Sequence, residues 1–142
     1  MTKDETRDNR LSVANQIIKE IASHGRRFLS MNSDSKAPEP SARTSYFEIS
    51  NGRLWYIDKW RGSRIYVHNE CPARRGWGRK FSDGGTLLSL LRNLRDFIVH
   101  GDLIKIGHFG PFPDWICGGD PWGYGDDMPL LRAKVEALLR MS

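Results

Sequence analysis

The sequence is poor in cysteine and has no long apolar run, and both shortages narrow the class of protein. Cys71 and Cys117 are the only cysteines among the 142 residues, which excludes a framework of several disulfides. No segment approaches the roughly 20 consecutive apolar residues of a membrane-spanning helix. Residues 1–10 are densely charged, unlike a secretory signal. We therefore expect a soluble cytoplasmic protein with no membrane partner.

The charge is unevenly distributed along the chain. The net charge is +5, and Lys and Arg outnumber Asp and Glu by 10 to 4 in residues 51–100, against 8 to 7 in residues 1–50 and 4 to 6 in residues 101–142. A basic surface of this kind can bind nucleic acid or an acidic protein. We call the following residues the basic patch: Lys59, Arg61, Arg64, Arg74, Arg75, Arg79 and Lys80.

Three segments have the apolar spacing of amphipathic helices. The first runs from about Arg10 to Ser23, and Gly25 follows it as a stop signal. The clearest spans Leu87–Val99 and ends before Gly101. The last should begin near Asp127, with a proline in its first turn.

Three shorter segments between the first two helices predict an antiparallel meander. Tyr46–Ser50, Arg53–Lys59 and Arg64–His68 are rich in aromatic and β-branched residues. Asn51 and Gly52 lie between the first two segments, and this pair is a strong hairpin signal because both residues tolerate positive φ. Apolar side chains occur on both faces of the second strand, so helices must cover one of them.

The predicted architecture is a single α+β domain over residues 1–142, consistent with one hydrophobic core at this length. It has an N-terminal helix, the three-stranded meander and two C-terminal helices, with an aromatic and glycine-rich loop between the last two. Residues 1–9 are expected to be a flexible N-terminus. Residues 32–45, which contain Pro38 and Pro40, are expected to form a flexible loop.

The aromatic and glycine-rich loop covers residues 108–127 and is the first candidate binding surface. Large rings in a tightly turned loop are typical of hot spots that bind proteins. The same rings could instead plug one end of the sheet, because a small domain needs its aromatic residues for the core. The candidate partner-binding residues are Trp115, Asp120, Trp122 and Tyr124.

The basic patch is the second candidate, since arginine among aromatic residues is suited to phosphates and bases. The order of helix, three strands and helix is also that of double-stranded RNA-binding domains. However, Gly84-Gly85-Thr86 stands where those domains have lysines at the start of the second helix. A solvated basic face, or one that docks on an acidic protein, explains the same residues.

Metal binding and catalysis are the weaker interpretations. His68, Cys71, His108 and Cys117 would suffice for a zinc site, but eight residues including two prolines separate the second pair, unlike a usual zinc knuckle. No nucleophile elbow or HExxH pattern is present. We expect no enzyme activity, no metal and no cofactor. Whether the two cysteines form a disulfide stays open.

Four segments resemble a family of small uncharacterised proteins carried on bacterial plasmids, integrative elements and phages. They are Ile21–Phe28, Phe81–Leu87, His108–Pro111 and Trp122–Met128. The resemblance extends from about Ile21 to the last helix and departs mainly in the loop that contains Pro38.

The resemblance implies a context rather than an active site. Small proteins of mobile elements include inhibitors of host defence, among them anti-CRISPR proteins. The leading hypothesis is therefore a non-enzymatic inhibitor that binds a host protein complex, such as a CRISPR ribonucleoprotein. The alternative is a nucleic-acid-binding protein that acts in plasmid or phage maintenance or regulation.

Overall fold

The chain forms three helices and one three-stranded antiparallel sheet. The computed structural model describes residues 3–23, 44–59, 62–67, 86–109, 115 and 128–141. The elements in chain order are α1 (Lys3–Ser23), β1 (Tyr46–Ser50), β2 (Arg53–Asp58), β3 (Ser63–Tyr66), α2 (Thr86–His100), a short 3₁₀ helix (Ile106–Phe109) and α3 (Met128–Met141). The predicted α+β class, with its N-terminal helix, meander and two C-terminal helices, is confirmed.

The sheet is a meander with the order β1-β2-β3, and its first turn is the predicted hairpin. Asn51 has φ 53° and Gly52 has φ 76°. Two consecutive positive φ values are those of a type I′ turn, whose twist matches the strands that it joins. Tyr56, at the centre of β2, is opposite Phe47 on β1 and Ile65 on β3.

The core lies between one face of the sheet and the helices. Helix α1 contacts α2, α3 and β1, which places it at the centre of the helical layer. Among the described residues, no helix combines the length and the apolar run that crossing a bilayer requires. The buried apolar residues are Ala14, Ile17, Ile18, Ile21, Ala22, Phe47, Leu54, Tyr56, Ile65, Val67, Leu90, Leu91, Leu94, Phe97, Ile98, Phe109, Leu131 and Val135.

Helix α1 begins at Lys3, earlier than the predicted Arg10. The helix therefore includes residues 3–9, and the expected flexibility of residues 1–9 stays a prediction. The apolar periodicity begins only near Arg10, but a tertiary contact supports the polar turns before it. The Arg10 guanidinium donates hydrogen bonds to the carbonyl oxygens of Ile98 and Val99 at the end of α2, at 3.0 and 3.4 Å.

Helix α2 ends at the predicted glycine for two reasons. Gly101 has φ 75°, and its N–H donates to the carbonyl oxygen of Phe97 at 2.9 Å. This is the geometry of a glycine that caps a helix C-terminus. A Cβ at Gly101 would also lie 3.3 Å from the Arg10 guanidinium. The Arg10 side chain thus joins the N-terminal half of α1 to the end of α2.

The predicted loop over residues 32–45 lies outside the described residues except at its end. Thr44 and Ser45 are both buried, so these two residues belong to the folded part of the chain. The Ser45 Oγ accepts a hydrogen bond from the backbone N–H of Lys59 at 2.9 Å. This bond holds the entry to β1 against the residue that follows β2.

Candidate functional site

The face of the sheet that points away from the helices carries aromatic and cationic side chains. Alternation along β2 places Leu54 and Tyr56 in the core and Trp55 and Ile57 on the opposite side. The strand register adds side chains from β1 and β3 to that side. We call it the outer face, and its residues are Tyr46, Glu48, Arg53, Trp55, Ile57, Lys59, Arg64 and Tyr66.

The centre of the outer face is a contact between two rings and a guanidinium. Trp55 and Tyr66 are opposite each other across β2 and β3, and their ring centroids lie 5.2 Å apart with planes tilted by 45°. The Arg64 Cζ lies 3.9 Å from the centroid of the Trp55 ring, well within the range of a cation–π contact. The Arg53 Cζ lies 6.0 Å from the centroid of the Tyr66 ring. The two rings and the two guanidinium groups together form a layer of flat groups on the sheet.

A second aromatic and cationic pair stands at the edge of the outer face. The Lys59 Nζ lies 6.0 Å from the centroid of the Tyr46 ring. Tyr46 begins β1 and is opposite Ile57 in the register. The hydrogen bond between Lys59 and Ser45 fixes the backbone beside this pair.

The charge of the outer face is positive. Its cations are Arg53, Lys59 and Arg64, and among its described residues the only carboxylate is Glu48. The Glu48 Oε2 lies 3.8 Å from the Arg64 guanidinium, and the two side chains are 41% and 48% exposed. Exposed pairs of this kind contribute only about 0–1 kcal/mol, so Glu48 leaves Arg64 able to attract another anion.

The structure describes two members of the basic patch, Lys59 and Arg64, and brings both to the outer face. The other members, Arg61, Arg74, Arg75, Arg79 and Lys80, lie outside the described residues. Sequence reasoning did not include Arg53, Trp55 and Tyr46 among the site residues. The alternation of β2 was the signal that could have found them, because Arg53, Trp55 and Lys59 share one side of the strand.

The aromatic and glycine-rich segment divides between core and surface where the structure describes it. Phe109 is fully buried in the short 3₁₀ helix, whereas Trp115 is 82% exposed. Phe109 therefore belongs to the core. A place in the core is the alternative to partner binding that the sequence leaves open for the rings of this segment. Asp120, Trp122 and Tyr124 lie outside the described residues, and their role in binding a partner stays a prediction.

A polar cavity of about 360 Å³ lies between α2 and the 3₁₀ helix, beside His108. Asn93 shapes it, since its side chain donates to the carbonyl oxygen of Leu103 at 2.9 Å and accepts from the N–H of Lys105 at 2.7 Å. Burial, and secondarily the charge of Lys105, lower the pKa of His108. Both effects favour the neutral form of the imidazole, and a neutral imidazole can accept a hydrogen bond.

Three of the four residues considered for zinc lie outside the part of the chain that the structure describes. These are His68, Cys71 and Cys117, whereas His108 is described. Among the residues that are described, no group of three or more His, Cys, Asp or Glu side chains is placed to hold a metal ion.

Comparisons with known proteins identify a family but no close relative. A search of curated proteins and a search of solved structures each gave no match. The model of the family named YoqU matches residues 5–128, which include α1 from its third residue onward, the whole sheet and α2. The name has the form of a phage-type gene name, in line with the resemblance to proteins of mobile elements. The chain belongs to the YoqU family.

Proposed function

We propose that this protein is a non-enzymatic nucleic-acid-binding protein of a mobile element, and that its outer face holds single-stranded nucleic acid. The observation that supports this proposal is the contact of Trp55 with both the Arg64 guanidinium and the Tyr66 ring. The described residues of the outer face offer flat aromatic rings and positive charge rather than a nucleophilic side chain paired with a general base. Such a surface binds a ligand without transforming it.

The geometry favours unpaired bases over a duplex. Bases in single strands stack on aromatic rings and on arginine planes, whereas the faces of paired bases are already covered by their neighbours. The three strands are spaced about 4.8 Å apart, and a sheet of this width accommodates two or three stacked bases. Trp55 and Tyr66 offer the central pair of rings.

The positive charge of the outer face can bind the phosphates of the strand whose bases contact the rings. Arg53 and Arg64 are exposed, and Lys59 stands at the edge next to Tyr46. Each phosphate that a cation neutralises releases a counterion, so binding must weaken as the salt concentration rises. With three cations engaged, log Kd should change with log salt by a slope of about 2.

The test is a titration of labelled single-stranded homopolymers, as DNA and as RNA, followed by fluorescence anisotropy over a series of salt concentrations. We expect a Kd on the order of 1–100 µM near physiological salt and weaker binding of a duplex of equal length. Equal or tighter binding of the duplex would contradict the stacking geometry. Absence of binding at low salt would leave the Arg64–Trp55 contact with a structural role alone.

A second candidate function, inhibition of an RNA-guided host defence complex, is favoured by Trp115. This side chain is 82% exposed. An exposed tryptophan is a strong anchor for a protein partner because it brings a large apolar area at a small cost in side-chain entropy. The other candidate partner-binding residues from the sequence are Asp120, Trp122 and Tyr124. A typical interface would cover about 800 Å² of this protein.

The two candidates respond differently to two tryptophan substitutions. If the protein inhibits target cleavage by a purified RNA-guided complex through a protein contact, Trp115→Ala should raise the concentration needed for half-inhibition at least tenfold, because a hot spot is worth about 2 kcal/mol or more. Trp55→Ala should leave this inhibition unchanged. The reverse pattern would assign the inhibition to nucleic-acid binding on the outer face.

A further inference from the structure

A groove of about 650 Å³ lies between α1 and the start of β1, and polar residues line it with much of their apolar side-chain surface. One side is a single face of α1, since its residues recur at spacings of three and four along the helix. The other side is the entry to β1 together with the residue that follows β2. The residues that matter for its chemistry are Ser12, Gln16, Lys19, Thr44, Tyr46 and Lys59.

Asn15 holds the two sides of the groove in a fixed relation. Its Nδ2 donates to the carbonyl oxygen of Phe47 at 3.0 Å, and its Oδ1 accepts from the N–H of Phe47 at 2.7 Å. The asparagine side chain thereby pairs with the edge of the sheet as a neighbouring strand would. Because the side-chain N–H and the side-chain carbonyl of Asn15 both bond to β1, the two sides of the groove are held at a fixed separation.

The groove is chemically suited to an anion that accepts hydrogen bonds. Lys19 contributes a cation from α1 and Lys59 contributes one from the sheet, and none of the described residues that line the groove is Asp or Glu. Glu20, the residue after Lys19, forms an ion pair with Lys134 on α3 at 3.6 Å. Thr44 also lines the groove, and its buried Oγ1 has no hydrogen-bond partner in the part of the chain that the structure describes.

We propose that this groove binds the sugar-phosphate backbone of the same single strand whose bases stack on the outer face. Tyr46 and Lys59 belong to both surfaces, so a strand that runs from the central rings to this edge of the outer face reaches the groove there. The phosphodiester group is common to DNA and RNA, and both fit the chemistry. This inference rests on the proposed function and predicts a longer binding site than the sheet alone provides.

Lys19→Ala tests the groove separately from the outer face. We expect three- to tenfold weaker binding of a strand of about twelve nucleotides, which reaches the groove, and unchanged binding of a strand of about four, which the sheet accommodates. The salt slope for the long strand should fall by about 0.7, the contribution of one phosphate contact. Lys105→Ala is the matched control, because it removes one exposed lysine beside the other cavity.

The outcomes separate the inference from the proposed function. If Lys19→Ala binds the long strand as well as Lys105→Ala does, or weakens both lengths equally, the groove is not part of the path. If the natural chain binds neither length, the groove inference and the proposed function both fail. A mononucleotide that displaces the long strand at equal concentration would instead identify the groove as a site for free nucleotides, and would overturn the strand path.

Discussion

Replacing both Trp55 and Tyr66 with alanine should weaken the binding of a short single strand at least about 30-fold. Each base that stacks on an aromatic ring is worth about 1–3 kcal/mol, and 1.4 kcal/mol corresponds to a tenfold change in Kd. The two rings lie 5.2 Å apart, so their effects are not independent and only the double variant removes the platform. Fluorescence anisotropy with a strand of about four nucleotides measures the change.

The matched control keeps a flat aromatic ring at each position, with a smaller ring in place of the indole and no hydroxyl in place of the phenol. Trp55→Phe with Tyr66→Phe should retain most of the affinity, because stacking requires a flat ring and tolerates its replacement by another. Both residues are half-buried, so each variant needs a circular dichroism spectrum and a thermal melt beside the titration. A folded double-alanine variant with an unchanged Kd would show that bases do not stack on the outer face.

The second large effect is expected on stability, at Asn15. Asn15→Ala leaves the N–H and the carbonyl of Phe47 without the partner that the structure provides. A polar group that loses its partner in a partly buried place costs about 1–3 kcal/mol. We therefore expect the free energy of unfolding to fall by about 2–4 kcal/mol, which a urea titration followed by circular dichroism measures.

The neighbouring residue supplies the control for this prediction. Gln16 is exposed, and its side chain donates a hydrogen bond to the Ser12 hydroxyl within the same helix. Gln16→Ala should change the free energy of unfolding by less than about 0.5 kcal/mol. If Asn15→Ala proved as stable as Gln16→Ala, the two hydrogen bonds between Asn15 and Phe47 would contribute nothing to the stability of the fold.

The local elements of this protein follow from the sequence because their causes are local. The Asn51-Gly52 pair predicts the hairpin through the φ values that only a few residue types tolerate, and Gly101 predicts the end of α2 for the same reason. Apolar spacing predicts the helices, although not their full extent. Helix α1 begins before its apolar stripe, and the contact of Arg10 with α2 joins residues 88 and 89 positions apart.

The burial of individual rings is less accessible from the sequence. Phe109 and Trp115 lie in one segment of similar composition, yet one is fully buried and the other is 82% exposed. Composition describes how much apolar area a segment carries. It does not describe where the chain passes relative to the helices, and that position decides burial.

The sequence by itself determined the α+β class, the hairpin, the helix that ends at Gly101 and a positive charge in the middle of the chain. Only the tertiary structure decided which side of the sheet the helices cover, and with it that Arg53, Trp55, Arg64 and Tyr66 share the outer face. Alternation shows that a strand has two faces, but the packing of distant helices selects the buried one. The same holds for the groove, because the hydrogen bonds of Asn15 to β1 join residues 32 positions apart.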